Sequence, residues 1–204
     1  MRNKFLRGQA GFTILELMVV VVMLGILGTV GYKMFGSGVT SKARAMQKYD
    51  LTTRLVNLMG VVAQSGAGTA VTTNPFFKSG AGLLDVLVGG EECVSANYQR
   101  SYRSFAVATY EESMNVTTRP NCSGGTATAG VYKVDKSGVK VSGTDGTMSV
   151  IYDNVTSDEL EAIVESHGDS KDFDKASTAA GSDGSISWGA PAGGLYTVTI
   201  KRKV

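Results

Sequence analysis

Hydrophobic residues crowd the start of the chain. From Phe12 to Phe35 the only charges are Glu16 and Lys33. At about 1.5 Å rise per residue this run spans roughly 36 Å as a helix, enough to cross a hydrocarbon core about 30 Å thick. Further on the pattern turns amphipathic. Leu51, Leu55, Leu58, Met59 and Val62 share one face of a 3.6-residue period, and Lys42, Arg44, Lys48, Asp50 and Arg54 fill much of the remainder. The pattern predicts one long helix over about 13–64, apolar all round in its first half and burying one stripe in its second. Gly36 and Gly38 loosen the junction of the halves, and the run Gln64-Ser65-Gly66-Ala67-Gly68 ends the helix.

Shorter periods follow. Residues 81–88 (AGLLDVLV) predict a short helix before Gly89-Gly90, and residues 104–110 (SFAVATY) alternate as a strand. Residues 131–141 (VYKVDKSGVKV) read as two strands around a Lys-Ser-Gly turn, and residues 147–152 as another strand after Asp145-Gly146. Residues 157–167 predict a helix capped by Thr156 or Ser157, with Glu159 closing a capping box on Thr156. Residues 168–184 are polar and predict a loop; residues 195–203 predict a strand with Tyr196, Val198 and Ile200 on one face. The expected fold class is α+β, a long N-terminal helix packed on an antiparallel β-sheet.

Composition narrows this picture. At 204 residues and 43% hydrophobic, the chain suffices for one domain with a real core. The net charge of +2 argues against a protein that coats nucleic acid, and Arg2, Lys4 and Arg7 in the first 11 residues account for more than all of it. Without those three charges the remainder stands at −1. The same basic cluster, followed by an apolar run, holds an N-terminus in the cytoplasm and sends the remainder outward. In an exported domain Cys93 and Cys122 read as a disulfide, the alternative being two buried free thiols.

Glu16 at the entrance of an apolar helix needs an explanation. An acid near the centre of a membrane helix costs about 2.5–3.5 kcal/mol on insertion scales, and less near an end. Cleavage after Gly11 creates a cationic amine on Phe12, one turn from Glu16. Within one chain the two pair weakly. Between neighbouring helices the amine of one chain meets Glu16 of the next, and a wrong stagger leaves a charge unpaired in hydrocarbon.

The leader ending in Gly11, the following Phe-Thr-Ile-Leu-Glu-Leu and the apolar run to Val30 resemble the class III signal sequence of type IV pilins. The resemblance covers roughly residues 5–35. It implies a pilin-like fold in three parts: a cleaved leader (1–11), a transmembrane and filament-core helix (12–35), and an extracytoplasmic domain (36–204). It implies that a prepilin peptidase cuts between Gly11 and Phe12 and N-methylates Phe12, and that Glu16 pairs with the Phe12 amine of the next subunit. It further implies an inner-membrane assembly machine with a cytoplasmic ATPase, storage in the inner membrane, and a helical homopolymer on the cell surface. Such filaments serve adhesion, motility, DNA uptake or mating. Two features depart from the family's common pattern: the first proline is Pro75, so none lies in the first helix, and the two cysteines sit mid-chain rather than pinning a C-terminal loop.

Other readings stand beside this one. A type II secretion pseudopilin shares the N-terminal pattern. A membrane-anchored extracytoplasmic binding domain explains the span and its charge bias but leaves Glu16 unexplained. An ordinary secretory signal lacks a small-residue cleavage site after Val30. Gly25, Gly28 and Gly31 are either small-residue packing contacts, points of local unwinding, or the ordinary glycine of membrane helices. No catalytic constellation, cofactor motif or paired-cysteine metal motif is present, so the expectation is not an enzyme and no cofactor. His167, the single histidine, lies at a helix end. Asp169, Asp172 and Asp174 lack the spacing of an EF-hand and read first as a solvated loop, second as a calcium site. Lys201, Arg202 and Lys203 read as solubilising charges, or as a contact for an acidic surface or DNA.

Overall fold

The computed structural model describes residues 37–104, 114–144, 146–168 and 179–204. The chain divides into two units at Thr40 and Ser41, and the fold below is that of the second. The expected membrane span at 12–35 lies outside the described residues; among those described, no helix is long and apolar enough to cross a membrane.

Helix α1 runs Ser37–Gln64. Its apolar stripe is the one the periodicity marks: Leu51, Leu55, Leu58, Met59 and Val62 are all buried. The stripe extends upstream through Ala45 and Lys48, and Thr52 beside Leu51 is buried as well. Gly66, in the left-handed region at φ 82°, donates its N–H to the Ala63 carbonyl and stops the helix. Helix α2 (Leu83–Gly89) follows, then a 3-10 turn (Gly90–Cys93) and helix α3 (Gln99–Ser104). Cys93 and Cys122 are bonded to each other, with Cα atoms 5.0 Å apart.

Seven strands form one sheet: β1 (Asn115–Thr118), β2 (Val131–Val134), β3 (Ser137–Thr144), β4 (Thr147–Val155), β5 (Gly181–Asp183), β6 (Ile186–Trp188) and β7 (Tyr196–Lys203). Their order is β1-β2-β3-β4-β7-β6-β5, with every neighbouring pair antiparallel. Helix α4 (Ser157–His167) connects β4 to the second half of the sheet. The register sets inward rows across the central strands: Val141–Val150–Ile200–Ile186 and Val139–Tyr152–Val198–Trp188. These rows meet the α1 stripe in one hydrophobic core. The arrangement is the α+β, pilin-like plan of a helix on an antiparallel sheet.

Several boundaries differ from the sequence expectation. The β2–β3 turn is Asp135–Lys136, not Lys-Ser-Gly, because Asp135 accepts the left-handed conformation (φ 54°) while Ser137 is buried as the first residue of β3. Within the expected loop 168–184, Gly181–Asp183 is a strand, held by antiparallel pairing to β6. Its Gly181 faces the Trp188 indole so closely that a Cβ would sit 2.6 Å from the ring. Strands β1 and β6 and helix α3 are short pieces with no periodicity to announce them, and neighbours stabilise them instead. The expected strand 104–110 lies outside the described residues apart from Ser104, which ends α3.

β4 carries a bulge. Tyr152 pairs with Val198, but Val155 pairs with Tyr196, so one extra residue stands on the β4 side. Asn154 absorbs it at φ 53°. Strict alternation would send Val155 to solvent; the bulge turns it into the core, where it is fully buried.

Candidate functional site

The seat of α1 on the sheet is built from side chains of α1, β4 and α4. Tyr152 of β4 reaches α1 with its hydroxyl, which bonds the Lys48 carbonyl at 2.6 Å and the Thr52 hydroxyl at 2.9 Å. Beside it, the fully buried Lys48 pairs with the equally buried Glu159 of α4 at 3.2 Å. The second Glu159 oxygen accepts from Arg44, 3.2 Å away, and Arg44 continues to Asp135 in the β2–β3 turn at 3.1 Å. Four charges thus clamp α1, α4 and the sheet. Burial pulls the Lys48 ammonium below its ordinary pKa, while the Glu159 carboxylate works in the opposite direction.

Two sequence expectations are corrected here. Lys48 is not on the solvated face of the helix. It lies three residues before Leu51, on the same stripe, and is held there by its partner. Glu159 does not close a capping box. Thr156 caps α4 by accepting the Glu159 N–H at 3.3 Å, but the Glu159 side chain turns inward to Lys48 and Arg44. The spacing of Arg44 and Lys48, one turn apart along a stripe continued by Leu51 and Leu55, was the available signal for a buried cationic pair. Its acidic partner lies 111 residues away in sequence.

A second buried acid organises the disulfide-closed region. Asp85 in α2 accepts from Gly82 N–H and Gly130 N–H at 2.7 Å each, and from the Tyr132 hydroxyl. Burial, then the Asp85 carboxylate, pushes the Tyr132 phenol up. The Cys93–Cys122 bond ties the 3-10 turn after α2 to the β1–β2 connection, and Lys78 donates to the Cys122 carbonyl at 2.6 Å. Asp85 and the disulfide thus fasten the α2–α3 region to the β2 end of the sheet.

His167 ends α4 and stacks on Tyr49 of α1, ring centroids 3.5 Å apart. The Arg202 guanidinium lies 5.5 Å from the centre of the Tyr49 ring and donates to the Ser185 hydroxyl at 2.6 Å. Among the described residues the buried His167 Nε2 has no hydrogen-bond partner. Burial first, and the Arg202 charge second, hold the imidazole below its usual range. Lys201 and Lys203 are exposed on the opposite side of β7. Gly11, Phe12, Glu16, Gly25, Gly28, Gly31, Asp169, Asp172 and Asp174 lie outside the described residues. Among those described, no cluster of His, Cys, Asp or Glu has the grouping to hold a metal.

The geometry is that of a fastening, with a chain of buried polar contacts holding a helix on a sheet. Comparison with protein families adds the N-terminal half of the picture: the prokaryotic N-terminal methylation motif matches residues 6–32. This is the class III signal of type IV pilin-like proteins, and it contains Gly11, Phe12 and Glu16. It points to a structural protein and implies processing by a prepilin peptidase. No curated protein and no solved structure matches the chain.

Proposed function

We propose that this chain is the subunit of a type IV pilus, trimmed after Gly11, N-methylated on Phe12 and polymerised through residues 12–35. The methylation motif at residues 6–32 carries the reading. The helix-on-sheet fold that follows it supports it, because a polymer built on an N-terminal helix needs that helix bound firmly to the surface domain. The leader's positive charge holds the precursor's N-terminus in the cytoplasm, and the apolar run stores it in the inner membrane. Hydrolysis of the Gly11–Phe12 bond releases the leader and exposes the Phe12 amine. In the filament that amine neutralises Glu16 of the adjacent subunit, and only the correct stagger satisfies both charges. An inner-membrane machine driven by a cytoplasmic ATPase extracts the subunits. The sheet domain forms the filament's surface.

Mass spectrometry of the mature chain is the direct test, with an N-terminus at N-methyl-Phe12 as the expected result. An intact Met1 sinks the proposal and favours a plain membrane-anchored domain. Glu16→Ala is expected to leave the processed subunit in the membrane with few or no filaments by electron microscopy. Normal filament numbers contradict the register role. Long surface fibres identify a pilus, whereas fibres confined to the envelope identify the secretion-system pseudopilin.

A further inference from the structure

Helix α4 is fastened to α1 at both ends, by contacts of different chemistry. At its start Glu159 holds Lys48 and Arg44, each at 3.2 Å, and the following Leu160, Ala162, Ile163 and Val164 are buried. Beyond Val164 the helix leaves the core, with Glu165 and Ser166 exposed. Its last turn is closed by Gly168, which donates its N–H to the Val164 carbonyl at 2.7 Å. Two side chains tie that turn to α1. Glu165 meets Lys42 at 3.9 Å, and His167 stacks on Tyr49 with the two rings 19° from parallel. The ion pair is exposed on both sides and therefore contributes little, which leaves the ring stack as the main tie.

This seat suits a neutral imidazole and not a charged one. In the imidazolium both ring nitrogens carry a hydrogen, so the buried Nε2 would hold an N–H with no acceptor among the described residues. The surrounding charges do not compensate. Arg202 of β7 already stands 5.5 Å from the centre of the Tyr49 ring, so a protonated His167 would be a second cation beside the same phenol. On α1, Lys42 faces Glu165 and Asp50 faces Arg54. On β5, Asp183 packs against the Gly168 backbone. His167 makes no ion pair among the described residues, and Asp169 lies outside them. Burial and the Arg202 charge hold the imidazole below its usual range, against the opposing pull of the Ser166 backbone.

We infer that the His167–Tyr49 stack is an acid-operated latch: protonation of the imidazole frees the last turn of α4 from α1, while the Glu159 clamp keeps the first turns seated. His167 is the only histidine of the chain, and ordinary carboxylates titrate near pH 4, so mild acid acts here through this one ring. Release uncovers the Tyr49 ring without unfolding the domain. The latch belongs to the domain and does not rest on the filament reading.

The test uses the purified full-length chain in neutral mild detergent. With one histidine, nuclear magnetic resonance reads its titration point directly, in the folded chain and again in urea. The folded value is expected to be the lower. Amide hydrogen exchange of the last turn is then compared at about pH 7 and about pH 5, corrected for the intrinsic rate at each pH. The opening constant of that turn is expected to rise in acid by the factor that the two titration points dictate, a separation of one pH unit giving about ten-fold. Protection there is expected to stay below that of β4 throughout, because the turn opens without the rest. His167→Phe is expected to remove the acid effect, and Arg202→Gln to move the folded titration point towards the unfolded one and shrink the effect. A folded titration point at or above the unfolded one overturns the inference. So does an acid effect that survives His167→Phe. Equal protection of the last turn and of β4 overturns it too, since the turn would then open only with the whole domain. None of these outcomes bears on the Phe12 terminus or on Glu16.

Discussion

Glu159 is the residue on which the helix seat turns. It neutralises Lys48 where neither side chain reaches water, with side-chain exposures of 0% and 3%. Glu159→Ala strands the Lys48 ammonium in the core and is expected to cost about 3–5 kcal/mol in denaturant unfolding. The double change Lys48→Met with Glu159→Leu removes both charges and is expected to recover most of that loss, since an apolar pair of similar volume carries no desolvation penalty. His167 gives a second residue-scale expectation. Its pKa is lowered on folding, so below the unfolded value of about 6.5 the unfolded chain binds a proton that the folded one refuses. Stability therefore falls as pH drops from 6.5 towards the folded pKa, then changes no further through this group. His167→Phe keeps the ring against Tyr49 and is expected to flatten that part of a thermal-midpoint profile between pH 7 and 5.

Elements here owe their stability to packing more than to propensity. α1 has no acid in its first turn and no base in its last, and its cohesion with the domain comes from the Leu51–Val62 stripe. α4 is different: Thr156 caps it, Asp158 and Glu159 open it, and His167 closes it. Thr156→Ala is expected to cost about 1 kcal/mol, read as a shift in the urea midpoint with an unchanged slope. The effect is local, because the cap satisfies one backbone donor and leaves the Glu159 side chain free to keep Lys48. Of the strands, β4 and β7 were legible because they are long and alternate cleanly. The three-residue β5 and β6 were not, since a segment of that length has no measurable period and exists only because β7 offers an edge.

For the whole molecule, the disulfide is the covalent constraint among the described residues. Cys93 and Cys122 are separated by 29 positions, and closing a loop of that size restricts the unfolded chain by about 3.6 kcal/mol in the chain-entropy treatment. Cys93→Ser with Cys122→Ser is expected to lower stability by about 2–5 kcal/mol, measured by chemical denaturation. The loss falls on the α2–α3 region and the β2 end, while the α1 seat, held by Lys48, Glu159 and Tyr152, is independent of it. The domain is thus fastened at two separate places, the α1 seat and the disulfide-closed region.

The chain's linear pattern alone determined the amphipathic stripe of α1, the principal strands, the α+β class and the methylation motif. Each is a local property: a period, a charge beside an apolar run, or a short motif. Tertiary structure decided what two distant residues do to each other. Lys48 reads as a surface lysine until Glu159 arrives from 111 positions away. Val155 belongs to the wrong face of β4 until a bulge at Asn154 turns it inward. His167 is a helix-end residue until Tyr49 of α1 and the charge of Arg202 on β7 meet it. Burial and pairing are properties of three-dimensional neighbours, and no period along the backbone encodes them.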